Sequence, residues 1–202
     1  LAIIVGPNHY GIGQNIASMI DMSWKTPLGL VEVDSDSVLE LREHLDILEI
    51  DSFSHSKEHS IEVQIPMLQE VFSDEMKILP ISLINQEQKT VTLVGSAIAK
   101  IAQEKDALLI GSSDFTHYEE NGFAHSQDLA LIDPILKLDV DEFYKILYER
   151  KVTACGFGAI ASIMTACKEL GATQGKLLKY ATSGDVSGDK SSVVGYASII
   201  FV

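Results

Sequence analysis

Two cysteines in 202 residues are too few for a disulfide framework, and Cys155 and Cys167 lack the paired spacing of a zinc ribbon. Either one that matters acts as a thiol. Basic residues are also scarce: 15 Lys and Arg against 29 Asp and Glu leave a formal net charge of -14. Binding a phosphate backbone or an anionic membrane surface relies on clustered Lys and Arg, so nucleic acid and membrane are excluded as expected partners. No apolar run reaches the roughly 18 residues that a bilayer span requires. The opening LAIIVGPNH has neither the basic flank nor the small-residue cleavage site of a signal peptide, so the expected location is cytoplasmic. Linkers, repeats and low-complexity tracts are missing too, and 202 residues suffice for one sizeable core, so residues 1–202 read as a single domain.

What is present is an alternation of apolar runs and helical patterns. LAIIV, MKILPISLI (76–84) and DALLIGSS (106–113) read as strands, as does TPLGLVEVD (26–34). Residues 35–45 and 89–104 have helical spacing, 122–150 is helical with a break near Asp139, and 156–170 is an apolar helix. In 57–72, Ile61, Ile65, Leu68 and Phe72 form one helical stripe, with Ser56 as its expected cap and Pro66 as an expected kink. LLKYATSGD and SVVGYASIIFV read as two final strands joined by a Gly/Asp/Ser turn. The expected fold is α/β, a three-layer α/β/α sandwich whose sheet is mixed and mostly parallel.

Chemistry gathers where strands end. The first strand stops at Gly6-Pro7 and presents His9; DALLIGSSDFTHY stops at small polar residues and presents Asp114 and His117. If the two strands run parallel, both histidines reach the carboxyl edge of the sheet, where open α/β sheets bind ligands. A turn histidine that merely caps carbonyls is the structural alternative for each. VTACGFGAI puts Cys155 at or just before a helix start, where the dipole favours thiolate, whereas Cys167 falls within the apolar helix and reads as structural. In EHSIE (58–62), His59 and Glu62 are three apart and share a helical face, so they stand as a binding pair, a carboxylate orienting an imidazole, or simply as a solvated polar face. Two motif matches are set aside. HSKEH (55–59) has the letters of an inverted zinc-protease motif, but a cap at Ser56 leaves His55 outside the helix. GIGQNI (11–16) lacks the third glycine of a dinucleotide loop, so no nucleotide cofactor is expected.

GPNH, TPLG, EHSIE, SSDFTHY, TACG and the terminal SVVGYAS, in this order and across nearly the whole chain, resemble the Memo family, whose bacterial and archaeal members are often called AmmeMemoRadiSam system protein B. That resemblance implies the fold of class III extradiol ring-cleavage dioxygenases, which hold non-haem iron with two histidines and a carboxylate. It implies a metal-site histidine at His9, Cys155 where the dioxygenases have their carboxylate ligand, His117 as the acid/base and Asp114 lining the same pocket. Family members also carry an upstream proline-histidine segment that supplies another metal-site histidine, so an N-terminal segment is expected to be missing here. Thiolate with imidazole suits iron, copper or zinc, whereas a hard carboxylate favours oxygen activation on Fe(II).

Three functions follow as expectations. The first is a metal-dependent oxidoreductase or dioxygenase-like protein, with His9 and Cys155 as ligands and His117, assisted by Asp114, moving protons to and from a small-molecule ligand. The second is a non-catalytic module that binds a peptide or protein in the same pocket. The third is a metal-free hydrolase with Cys155 as nucleophile, His117 as base and Asp114 as orienter.

Overall fold

Strands buried on both faces are apolar throughout, and two such runs lie at the centre of the fold: β1 (Ala2–Pro7) and β6 (Ile78–Leu83) are buried at every position. In the computed structural model, which describes residues 1–72 and 76–202, they join β2 (Ile16–Ser18), β5 (Glu49–Ile50) and β7 (Leu108–Gly111) in a five-stranded sheet of order β5-β2-β6-β1-β7. β1 runs parallel to β6 and to β7, and β2 parallel to β5; the antiparallel pairing of β2 with β6 makes the sheet mixed.

Two glycines show what covers each face. Val5 pairs with Gly111 across β1 and β7, so Gly6 and Gly111 point to opposite faces of the sheet. A Cβ on Gly111 would press on Ala159 and Ile163 of α6 (Phe157–Glu169), and one on Gly6 would press on Ser60 and Ile61. One layer is therefore α6 with α3 (Gln88–Glu104), on which α1 (Ser35–His44) packs. The opposite layer is the 58–64 segment with α2 (Ile65–Phe72). Ile61, Ile65 and Leu68 from that layer belong to the same hydrophobic cluster as β1 and as Val91, Val94, Ile98 and Ile101 of α3, so one core serves the whole chain. Among the described residues no helix is long and apolar enough to cross a membrane.

The α/β sandwich is as expected, with three local departures. Residues 26–34 are not one strand: β3 (Ser23–Thr26) and β4 (Gly29–Glu32) form a hairpin. Pro27 offers no amide to a ladder, and Thr26 Oγ1 accepts from Leu28 N at 3.1 Å to close the turn. The helix expected over 57–72 begins only at Ile65, after a 3₁₀ turn at 62–64. Upstream of it the Glu58 carboxylate captures the amides of His59 and Ser60 at 2.8 and 2.9 Å, and Ser60 Oγ donates to Pro7 O at 2.9 Å. Side-chain bonds of this kind compete with helix formation. Pro66 lies in the first turn of α2 and not in the interior of a longer helix, so its missing N–H leaves no intrahelical bond unmade.

The third departure concerns the last strands. β9 (Gly175–Thr182) and β10 (Val193–Phe201), joined through the short α7 (Gly184–Ser187), pair antiparallel as expected, but they form a separate three-stranded sheet with β8 (His117–Glu119). The expected break at Asp139 is present: it separates α4 (Asn121–Leu136) from α5 (Val140–Arg150), and its carboxylate caps α5 by accepting from Glu142 N at 3.0 Å.

Candidate functional site

Because β1 and β7 are parallel neighbours, the chain leaves both at the same edge, His9 two residues past β1 and Asp114 three past β7. The structure gathers the candidate side chains into two groups there. In one, donor atoms of Asp114, His117 and Cys155 lie within 4.8 Å of one another; in the other, the same holds for His9, Glu58 and His59. Hydrogen bonds join the groups across the strand ends. Ser112 N donates to Val5 O at 2.8 Å, Ser112 Oγ donates to Ser60 O at 2.7 Å, and Gln64 Nε2 donates to Ser112 Oγ at 3.1 Å.

Cys155 reaches its group because Gly156 follows it. A Cβ there would collide with Ser112 O, so only glycine lets the start of α6 lie against the end of β7. Asp114 N donates to the sulfur at 3.2 Å, and Cys155 N donates to Asp114 O at 3.2 Å. Gln86 clamps the turn, donating to Cys155 O at 2.9 Å and accepting from Gly158 N at 2.7 Å, while Gly156 N donates to Ser113 Oγ at 2.9 Å.

Two amides at the start of α6, those of Gly156 and Gly158, are engaged by Ser113 and Gln86, and burial pushes the Cys155 thiol up, with the Asp114 amide only partly opposing it. Burial pushes Cys167 up further, to about 11. A thiol reagent near neutral pH is thus expected to modify Cys155 first, but slowly, as peptide mass spectrometry would show; prior labelling of Cys167 would contradict this reading of the two environments.

His117 is fixed from both ends. Its backbone N–H donates to Thr153 Oγ1 and its Nδ1 to Thr153 O, each at 2.8 Å. A carbonyl only accepts, so Nδ1 carries a hydrogen, and Nε2 lies 3.7 Å from Asp114 Oδ2. Tyr118, next along, holds a left-handed φ of 59°, a strained conformation for a bulky residue and one often found at functional sites.

In the second group, His9 Nδ1 lies 2.8 Å from Glu58 Oε1, and the His9 and His59 rings stack at 4.7 Å between centroids and 17° between planes. Burial alone would raise the Glu58 carboxyl. The bonds from the His9 side chain and backbone and from Ser60 outweigh it, and bring it down to about 2. Glu62 is exposed in the 3₁₀ turn and belongs to neither group; the carboxylate beside His59 is Glu58. Glu58 was the first letter of EHSIE, but nothing in helical spacing marks it, since it acts from a turn.

The HSKEH letters do not converge. His55 ends a 3₁₀ turn (Ser52–His55) and is buried edge-on to Trp24, whereas His59 is exposed on the His9 ring. Neither His55 ring nitrogen has a hydrogen-bond partner among the described residues. Burial pushes this imidazole down to about 4, against the pull of the Ala17 backbone, Asp51 and Glu58. The folded state therefore binds this proton less readily than the unfolded chain. Its contribution to stability is expected to be full above pH 6.5 and to be lost as pH drops toward 4, by on the order of 3 kcal/mol. Urea denaturation across that range is expected to show the fall, and His55→Phe to flatten it; an unchanged slope in the variant would assign the acid sensitivity elsewhere.

Fold and site together define an α/β/α protein with a cysteine, histidine and carboxylate site at the carboxyl edge of its sheet. The chain belongs to the Memo family: residues 2–200 match the family described as Memo-like protein. It is 58% identical over 202 residues to a MEMO1 family protein of Nitrosopumilus maritimus, covering 100% of this chain and 74% of that one. A MEMO1 family protein of Methanosarcina acetivorans is 48% identical (98% and 74% covered), and one of Methanopyrus kandleri 44% (98% and 71%). Among solved structures, an uncharacterised protein of Escherichia coli K12 superposes with a TM-score of 0.58 at 11% identity, covering 96% of this chain and 85% of that one, a likeness of fold alone.

Proposed function

We propose that this Memo-family chain is a metal-binding protein of oxidoreductase type, its metal held at the sheet edge by Cys155 with imidazole and carboxylate donors. The observation that carries this reading is the convergence of the Cys155 sulfur, a His117 ring nitrogen and an Asp114 oxygen within 4.8 Å, with His9 just past the end of the adjacent strand β1. Sulfur, nitrogen and oxygen donors so close together fit iron, copper or zinc. A bound metal of this kind supplies Lewis acidity toward an oxygen-bearing small molecule. The protein's own part is positional: Thr153 claims Nδ1 of His117 and so leaves Nε2 as its donor atom, Asp114 lies beside that nitrogen, and Gln86 and Gly156 keep the sulfur in register. A thiolate in place of the dioxygenase carboxylate argues against simple ring cleavage.

The metal-free hydrolase reading is disfavoured by the same geometry. Its nucleophile is a thiol pushed up by burial, and its base is oriented through Nδ1 by a carbonyl, with Asp114 on the other nitrogen. Anaerobic purification, metal analysis and titration with Fe(II), Cu(I) and Zn(II) test the proposal. Stoichiometric binding is expected; no affinity above background for all three would replace it with the peptide-binding module.

A further inference from the structure

His9, Glu58 and His59 resemble a second metal site by proximity alone. The hydrogen bonds argue otherwise. Glu58 Oε1 accepts from His9 Nδ1 at 2.8 Å, from His59 N at 2.8 Å and from Ser60 N at 2.9 Å, and Oε2 accepts from His9 N at 2.6 Å. Each carboxylate oxygen offers about two lone-pair sites, so three N–H donors saturate Oε1 and only Oε2 keeps one open. Glu58 is committed mainly to N–H groups rather than to a cation.

What it can do is decide where the hydrogen sits on His9. A carboxylate only accepts, so the nearby Nδ1 must carry the hydrogen and the lone pair is left on Nε2. We propose that Glu58 is a positioning residue that locks His9 in the Nδ1–H tautomer and presents its Nε2 at the carboxyl edge of the sheet, with the stacked His59 ring fixing the rotation. The geometry suits the task. The Glu58 side chain is only 2% exposed, and the segment that carries it is pinned to both strand ends, by Ser60 Oγ to Pro7 O and by Ser112 Oγ to Ser60 O. His9 is therefore set by the same strands that set Cys155 and His117, so Glu58 tunes the second imidazole of the site from behind. What Nε2 donates to rests on the metal reading above; the tautomer does not.

The test separates the two. Protein labelled with ¹⁵N-histidine and kept free of metal is recorded by long-range ¹H–¹⁵N correlation at mildly alkaline pH, with His9 assigned from His9→Gln. Wild type is expected to show His9 as Nδ1–H; Glu58→Ala should show the mixed or Nε2–H form. Glu58→Gln, which keeps one accepting oxygen, should lie between them and guards against misfolding of the alanine variant. Zinc alone, titrated into all three, should bind about 10- to 100-fold more weakly to Glu58→Ala than to wild type. An Nε2–H His9 in the wild type overturns the positioning role and leaves the metal reading standing, as do an unchanged tautomer and zinc affinity in folded Glu58→Ala. An Nδ1–H His9 that depends on Glu58, in a wild-type protein with no affinity for zinc, Fe(II) or Cu(I), upholds the tautomer lock and overturns the metal reading.

Discussion

Cys155→Ser is expected to leave the fold intact and to weaken zinc and cobalt binding on the order of a hundredfold or more, with loss of the sulfur-to-metal charge-transfer absorption of the cobalt form. The substitution is nearly isosteric, and the Asp114 amide that donates to sulfur at 3.2 Å can donate to a hydroxyl instead, so little stability is at stake. The donor, however, changes from one that soft metals prefer to a neutral oxygen that does not ionise near neutral pH. Burial pushes the Cys155 thiol up, so metal must displace its proton on binding, and uptake by the wild type should release a proton that the serine variant does not. Cys167→Ser provides the control, since that residue lies within α6 and outside both donor groups. Equal affinity in wild type and Cys155→Ser, with cobalt absorption preserved, would take sulfur out of the site.

The parts of this site legible in the sequence were those that follow from strand and helix ends. An apolar run closed by Gly6-Pro7 must end in a turn, and parallel β1 and β7 must open at the same edge, so His9 and His117 were expected there from pattern alone. Cys155 was legible through the helix it precedes. Glu58 was not, because its role comes from backbone amides in a turn and from a strand end 49 residues away in sequence at His9. Helical periodicity pointed instead to Glu62, since Ile61, Ile65 and Leu68 are buried as a stripe even though only the last two lie in α2. The same limit applies to the final strands. Their hairpin pattern is visible, but pairing with β8 depends on Phe115 N donating to Gly195 O and Gly195 N to Thr116 O, each at 2.9 Å, contacts that no local pattern encodes.

That junction also explains why Asp128→Ala should be the most destabilising single change on the far side of the site, by about 3–5 kcal/mol, or on the order of 10 °C in Tm. Asp128 lies in α4 and is fully buried. Its Oδ1 accepts from Thr116 N at 3.0 Å and Thr116 Oγ1 at 2.6 Å, and its Oδ2 accepts from the Tyr180 hydroxyl at 2.7 Å. Burial and the bond to Asp128 push the Tyr180 phenol upward, so it remains a donor throughout the working pH range. Gly195 opposite leaves no slack, because a Cβ there would collide with Asp128 Oδ2. Alanine strands three donors in a dry space, each costing about 1–3 kcal/mol before relaxation. Asparagine should cost about 1–2 kcal/mol, since its oxygen can keep both Thr116 bonds and the Tyr180 hydroxyl can rotate to accept from its amide. Thr116 immediately precedes His117, so the alanine variant should also loosen the imidazole from Thr153, seen as a changed His117 tautomer signal in ¹⁵N spectra. Urea denaturation of both variants measures the split. A loss below about 1 kcal/mol for Asp128→Ala, or equal losses for alanine and asparagine, would show that water or repacking replaces the carboxylate and that β8 and His117 are held in place by other contacts.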